Sequence, residues 1–290
     1  MVRCLVCSKP ISPTRHYCDH CAPFFAQRHD NLKRRLALRE AYDPNLDRFR
    51  CYYTRIPLEE LNERDPFFLS FDHLVPVRSS RLVATSELVN SMKFELGPEE
   101  FPKVIRELAA HHRGRPFRRD VVAFEWWGRR MPPQPESGGA VAPAGACEVC
   151  GGPRTEGRDL CRRCYDIVRA GHTDFRARAR ALKEAWSPEE GRFLCHFTGA
   201  WLEVEDVGSP WYVAFGHRVP GDDATLVAGA WWVTRMKEGL SEEELWLVVG
   251  ELDRCWRGGG EFERGGGGRG RADGGLAVTG VGDGTAIGGD

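Results

Sequence analysis

Long apolar runs are missing from this 290-residue chain, none approaching the ~18 residues that span a bilayer, so no membrane-spanning helix and no membrane partner are expected. The opening Met-Val-Arg-Cys-Leu-Val-Cys also lacks an apolar leader. Eleven cysteines are therefore not expected to form a disulfide framework, and a reducing, cytoplasmic setting is expected instead. Net charge is equally scarce: 41 Lys and Arg against 42 Asp and Glu leave −1, which removes any global attraction to nucleic acid. A nucleic-acid face would have to come from local segregation of charge. What the chain does have is 41% hydrophobic residues, enough for packed cores, and the length of about two domains.

Cysteine is concentrated. Cys4-Leu-Val-Cys7 is followed by ten residues and Cys18-Asp-His-Cys21, and the pattern returns as Cys147-Glu-Val-Cys150, ten residues, Cys161-Arg-Arg-Cys164. Zinc takes four soft ligands in a tetrahedron, and a CxxC turn presents two thiolates on one knuckle, so each set predicts one structural Zn²⁺ site.

The cysteines anchor a longer internal match, offset by 143 residues at the knuckles and 144 from about position 37. Arg48-Phe-Arg-Cys51-Tyr-Tyr-Thr54 faces Arg192-Phe-Leu-Cys195-His-Phe-Thr198, and Phe71-Asp-His-Leu-Val-Pro76 faces Phe215-Gly-His-Arg-Val-Pro220. Met92-Lys93 meets Met236-Lys237. Such register over about seventy residues predicts duplication of a whole folding unit.

The expected class is α+β: two repeated units, each with zinc knuckles, a basic helix, a short β-hairpin and two helices. The basic helix is expected over roughly 24–41, ended before Pro44. Phe49, Cys51 and Tyr53 alternate as in a half-buried strand, and Phe71 to Val77 supplies another. A helix is expected from about Ser86, with Leu88, Val89, Met92 and Leu96 on its apolar face and Gly97 as its C-cap. Pro98, Glu99 and Glu100 predict the start of a further helix burying Phe101, Val104 and Leu108. In the second half, Ser241 and Glu244 form a capping-box pattern at that junction.

The expected domains are 1–112 and 147–257, joined by a linker over 113–146 that contains Trp126 and Trp127, with a glycine-rich disordered tail over 258–290. Arg28, Lys33, Arg34, Arg35 and Arg39 follow the first knuckle, and Arg176, Arg178, Arg180 and Lys183 hold the corresponding stretch of the second half. Each run is either a solvated helix face or a contact for nucleic acid. Trp201, Trp211, Trp231 and Trp232 are expected in core and interface, with base stacking as the alternative.

Asp72-His73 falls at a strand end and Asn90-Ser-Met-Lys93 on the following helix. With Cys51-Tyr-Tyr-Thr54, Asp72-His-Leu-Val-Pro76 and Asn90-Ser-Met-Lys93, about fifty residues of the first half resemble the HNH endonuclease family, whose core is a ββα-metal unit. The resemblance implies that Asp72 and Asn90 bind a catalytic Mg²⁺ or Mn²⁺, that His73 is the general base, and that Lys93 meets a phosphate. The family's further asparagine is missing between Val77 and Val89, so Ser79, Ser80 or Thr85 would have to substitute.

In the second half Gly216 and Thr234 stand where Asp72 and Asn90 do, so that unit is expected to be inactive. The leading expectation is an HNH-type endonuclease or nickase acting on nucleic acid, DNA rather than RNA. The alternative is a noncatalytic tandem zinc module that binds nucleic acid or protein.

Overall fold

In a computed structural model, residues 2–25, 31–77, 79–121, 145–170 and 173–258 are described. Arg28, Trp126, Trp127 and the glycine-rich tail lie outside them. The architecture is α+β, built from helices, small antiparallel hairpins and two cysteine clusters.

The chain begins with β1 (Val2–Arg3) paired to β2 (Pro10–Ile11), whose turn carries Cys4 and Cys7. Cys4 N–H donates to Lys9 O at 2.8 Å and Ser8 N–H to Cys4 O at 3.1 Å, a turn that needs the left-handed φ of 62° at Ser8. At the corresponding place in the second knuckle stands Gly151, with φ 69° and no Cβ to strain. A 3₁₀ turn (Ala22–Phe25) follows the second cysteine pair, and α1 starts at Asn31 and ends at Ala41. Of the expected helix over 24–41, Phe24–Phe25 lies in the 3₁₀ turn, 26–30 lie outside the described residues, and Asn31–Ala41 is α-helical. It ends at 41 as expected, where Tyr42–Asp43 (β3) turns back to pair with Arg48–Phe49 (β4).

Phe49, Cys51 and Tyr53 are all buried, as alternation predicts, yet the strand ends at Phe49. Cys51–Thr54 is a turn instead, closed by Cys51 N–H to Ile56 O at 2.9 Å and Arg55 N–H to Cys51 O at 2.9 Å. Burial of every second residue came from a turn packed into the core.

Next, β5 (Leu69–His73) pairs antiparallel with β6 (Leu82–Ser86), Leu69 opposite Ser86 and His73 opposite Leu82. β6 is buried along its whole length, packing against α1 and against α2 (Glu87–Lys93). Ser86 caps α2 by accepting from Val89 N–H at 3.3 Å. The helix ends at Lys93 rather than near Gly97, because Phe94 takes a left-handed φ of 45°. α3 (Glu100–His112) then buries Phe101, Val104, Ile105 and Leu108, each worth about 1.5–3 kcal/mol when fully removed from water.

In the second half α4 (Arg162–Arg169), α5 (Phe175–Glu184), β7 (Trp186–Ser187) and β8 (Arg192–Phe193) lead to β9 (Val213–His217). β9 pairs with β10 (Leu226–Ala230), Val213 opposite Ala230, the same register as Leu69 opposite Ser86 at positions 144 higher. Ala177 and Ala181 of α5 pack on Leu226, with Phe215 beside them. α6 (Trp231–Met236) and α7 (Glu242–Gly258) close the series. The capping box is formed in both directions: Ser241 N–H donates to Glu244 at 2.7 Å and Glu244 N–H to Ser241 Oγ at 3.2 Å.

By contacts the chain divides into Met1–Pro98 with Gly250 onward, and Glu99–Val249. The break before Glu99 sends α3 into the unit that holds the second hairpin. There His112 stacks on Trp246 at 4.8 Å, and Phe117 meets Trp211 and Trp232 at 5.9 and 6.1 Å. The far end of α7 belongs to the other unit, where Trp256 Nε1 donates to Tyr53 O at 3.0 Å.

Candidate functional site

The two tetracysteine sets are gathered as their spacing predicts. In each, the four sulfurs lie within 4.8 Å of one another. Cys7 Sγ and Cys18 Sγ are 3.5 Å apart, Cys150 Sγ and Cys161 Sγ 3.7 Å. A tetrahedron with Zn–S bonds of about 2.3 Å places its sulfurs about 3.8 Å apart, so the donor sets fit structural zinc. Burial resists ionisation of Cys4, but backbone contacts from Cys7, Cys18 and Val6 hold its thiol down to about 6. The same balance leaves Cys147 at about 7. In each set one thiol is thus readily converted to the thiolate that a metal binds, while burial pushes the Cys21 and Cys164 thiols far up.

The hairpin–helix of β5, β6 and α2 gathers the four residues singled out for hydrolytic chemistry. Strand alternation sets Ser70 and Asp72 on one face of β5, and helical spacing sets Asn90 and Lys93 on one face of α2. The pairs that form are Asn90 with Ser70 and Lys93 with Asp72. Asn90 Nδ2 donates to Ser70 Oγ at 3.0 Å. The Lys93 ammonium, with its side chain fully buried, lies 3.0 Å from Asp72 Oδ2 and also donates to His73 O at 3.1 Å.

Asp72 is buried too, and its Oδ2 accepts a second bond, from Tyr53 O–H at 2.7 Å. Burial pushes the Asp72 carboxyl above the usual carboxylate range, against the pull of Lys93 and Tyr53. Tyr53 is driven up as well, by burial and by the adjacent carboxylate. Its phenol therefore stays protonated and serves as a donor.

This geometry gives Asp72 an internal cation. A divalent ion added to that carboxylate at about 4 Å from the ammonium would meet repulsion of roughly 8 kcal/mol at an effective dielectric of 20. Asn90, the other expected oxygen ligand, is engaged with Ser70. No motif marks Tyr53 or Ser70, although the internal alignment carries a signal for the first: Tyr53 faces Phe197 just as Asp72 faces Gly216. Hydroxyl and carboxylate disappear together.

His73 is half-buried and points away from the Asp72 cluster, its Nδ1 lying 3.3 Å from Ser80 Oγ. Ser80 O–H donates to Val75 O at 2.7 Å, so its one proton is committed and Nδ1–H is the donor toward Oγ. Nε2 is then the basic nitrogen of His73. Ser80 is thus the one of the three expected stand-ins that touches the histidine. Thr85 is buried, with its hydroxyl 3.4 Å from Cys51 Sγ.

The basic stretches divide by environment. Arg178 is buried and donates to Val168 O and Thr173 O, which ties α5 to the segment before it. Arg34 stacks over Phe71 at 4.5 Å. Arg39, Arg176, Arg180 and Lys183 remain on the exterior. Of the four tryptophans, Trp211 and Trp232 are core, whereas Trp201 is exposed with Arg119 lying 3.4 Å over its ring. No family model, curated protein or solved structure matches this chain.

Proposed function

We propose that the chain is a tandem of two copies of one zinc-stapled unit, and that it acts as a noncatalytic binding module for nucleic acid. The observation that carries the noncatalytic reading is the Lys93 ammonium 3.0 Å from Asp72 Oδ2, a cation already paired with the carboxylate that the resemblance assigns to a metal. Duplication is supported by hairpins of equal register 144 residues apart, each followed directly by a short helix.

Nucleic acid is supported by the sign of the charge on α1 and α5, of which Arg39, Arg176, Arg180 and Lys183 are exposed. α1 carries Lys33, Arg34, Arg35 and Arg39 against the single acid Glu40, and α5 carries Arg176, Arg180 and Lys183 against Glu184. Phosphate contacts from such residues release counterions, so affinity should fall steeply with salt.

A second reading, an HNH-type phosphodiester hydrolase that uses Mg²⁺ or Mn²⁺, is favoured by one observation. Ser80 fixes the His73 ring so that Nε2 is its basic nitrogen, the arrangement a general base requires.

One experiment separates these readings. Labelled duplex DNA and a supercoiled plasmid are incubated with the zinc-loaded chain and with Mg²⁺ or Mn²⁺. A salt-sensitive mobility shift without nicking is expected, weakened in Arg39→Glu with Arg176→Glu. Nicking that vanishes in His73→Ala but persists in His217→Ala would establish the hydrolase instead. Neither shift nor nicking would leave a protein partner for the module.

A further inference from the structure

The second hairpin and its helix border a half-open pocket of about 220 Å³, lined by Gly216, His217, Gly221, Thr234, Lys237 and Gly239 among others. At its wall sits Lys237, only 4% exposed. The hydrogen-bond acceptor of its ammonium is a carbonyl, Leu240 O. Burial draws its pKa down, opposed by the more distant charges of Glu242 and Glu244. A buried ammonium is costly without an anion at hand.

The first hairpin shows what a lysine at this position holds when the anion is built in. Lys93, at the matching position, pairs with the Asp72 carboxylate, which Tyr53 also binds. In the second hairpin Gly216 replaces the carboxylate and Phe197 replaces the phenol, while the lysine remains. The Thr234 methyl packs against Gly216, and the lysine borders an open pocket.

We propose that this pocket takes a small organic carboxylate, whose anionic group pairs with the buried ammonium of Lys237 as Asp72 pairs with Lys93. The volume of the pocket suits a small ligand. Its wall also favours a single negative charge. Glu238, paired with Arg235 at 2.7 Å, lines it, and the lining His217 imidazole is bonded to the Asp223 carboxylate at 2.8 Å, so carboxylates stand near the one buried cation and a dianion such as phosphate is less favoured. This assignment stands on the second hairpin alone and does not depend on the nucleic-acid reading.

The test titrates the full zinc-loaded chain with sodium acetate at constant ionic strength, following amide NMR shifts of Gly221 and Gly239. Saturable shifts with a dissociation constant in roughly the millimolar range are expected, with inorganic phosphate binding more weakly. Lys237→Met should weaken acetate at least about tenfold.

A second variant supplies the missing carboxylate. A Cβ added at Gly216 would lie 2.9 Å from Thr234 Cγ2, so Gly216→Asp is combined with Thr234→Asn, the pair found in the first hairpin. The internal carboxylate should compete and weaken acetate by a similar factor. If Lys237→Met fails to fold, judged by zinc content and spectral dispersion, this double variant decides. Absence of saturable shifts in wild type, undiminished acetate binding in the folded variants, or phosphate binding tighter than acetate would each overturn the proposal.

Discussion

The hairpin–helix at 69–93 and the one at 213–237 share backbone register and a buried lysine, yet they neutralise that lysine differently. In the first, Lys93 faces the Asp72 carboxylate, itself held by Tyr53. In the second, Lys237 reaches a main-chain carbonyl and borders an open pocket. A retained residue can therefore carry two electrostatic situations. What it does is decided by the residues replaced around it.

The largest expected effect concerns the feature common to both halves. Structural zinc in small domains contributes apparent binding energies of about 10–16 kcal/mol to folding. Cys21→Ser and Cys164→Ser should each lower bound zinc from two ions to one per chain, measured by elemental analysis, with unfolding confined to the affected knuckle. An effect in one half only would break the symmetry of the comparison.

Next in size is the contrast itself. Asp72→Ala strands the Lys93 ammonium in the interior and should cost about 3–5 kcal/mol in denaturant unfolding. Replacing both charges, with Asp72→Leu and Lys93→Met, should recover most of that loss. Lys237→Met should cost much less than Asp72→Ala, because it removes a buried charge that, among the described residues, no carboxylate within hydrogen-bonding distance balances.

A third comparison pairs Glu107 of α3 with Glu251 at the matching position of α7. Glu107 is buried, and Arg118 and Arg115 bond it. Glu251 is bonded by Arg254 with both side chains partly exposed. Glu107→Gln should cost about 2 kcal/mol at neutral pH, and Glu251→Gln less than about 0.5 kcal/mol. The Arg118 hydrogen bond holds the Glu107 carboxyl below its ordinary range, outweighing burial, with Arg115 assisting. Its stabilisation is therefore complete above the unfolded value of about 4.3 and is lost as pH falls through the lower folded value. The Tm difference between wild type and Glu107→Gln should shrink below about pH 4.

The last contrast probes the phenol. Tyr53→Phe, which copies Phe197, removes one hydrogen bond to a carboxylate that Lys93 still holds. It should cost about 1–2 kcal/mol, whereas Phe197→Tyr should bring no comparable gain while Gly216 is present.

Much of this was legible in residue order, for identifiable reasons. CxxC spacing constrains four sulfurs through short local turns, so both clusters could be read directly. The capping box of Ser241 and Glu244 is a contact across three residues and formed as written. The break at Phe94 was not legible, because a left-handed residue there replaces the glycine cap expected at Gly97. The contact of Phe117, just after α3, with Trp211 and Trp232 was also hidden, since nothing local says which distant rings an aromatic side chain will meet.

The candidate site divides along the same line. The sequence by itself placed Asp72, His73, Asn90 and Lys93 on a hairpin and a helix, because periodicity and local capping set those elements. Only the tertiary structure decided that Lys93, rather than Asn90, reaches Asp72, and that Tyr53 completes the triad from a turn nineteen residues earlier. Electrostatic partnership in a low-dielectric interior depends on distances of 3 Å between distant segments.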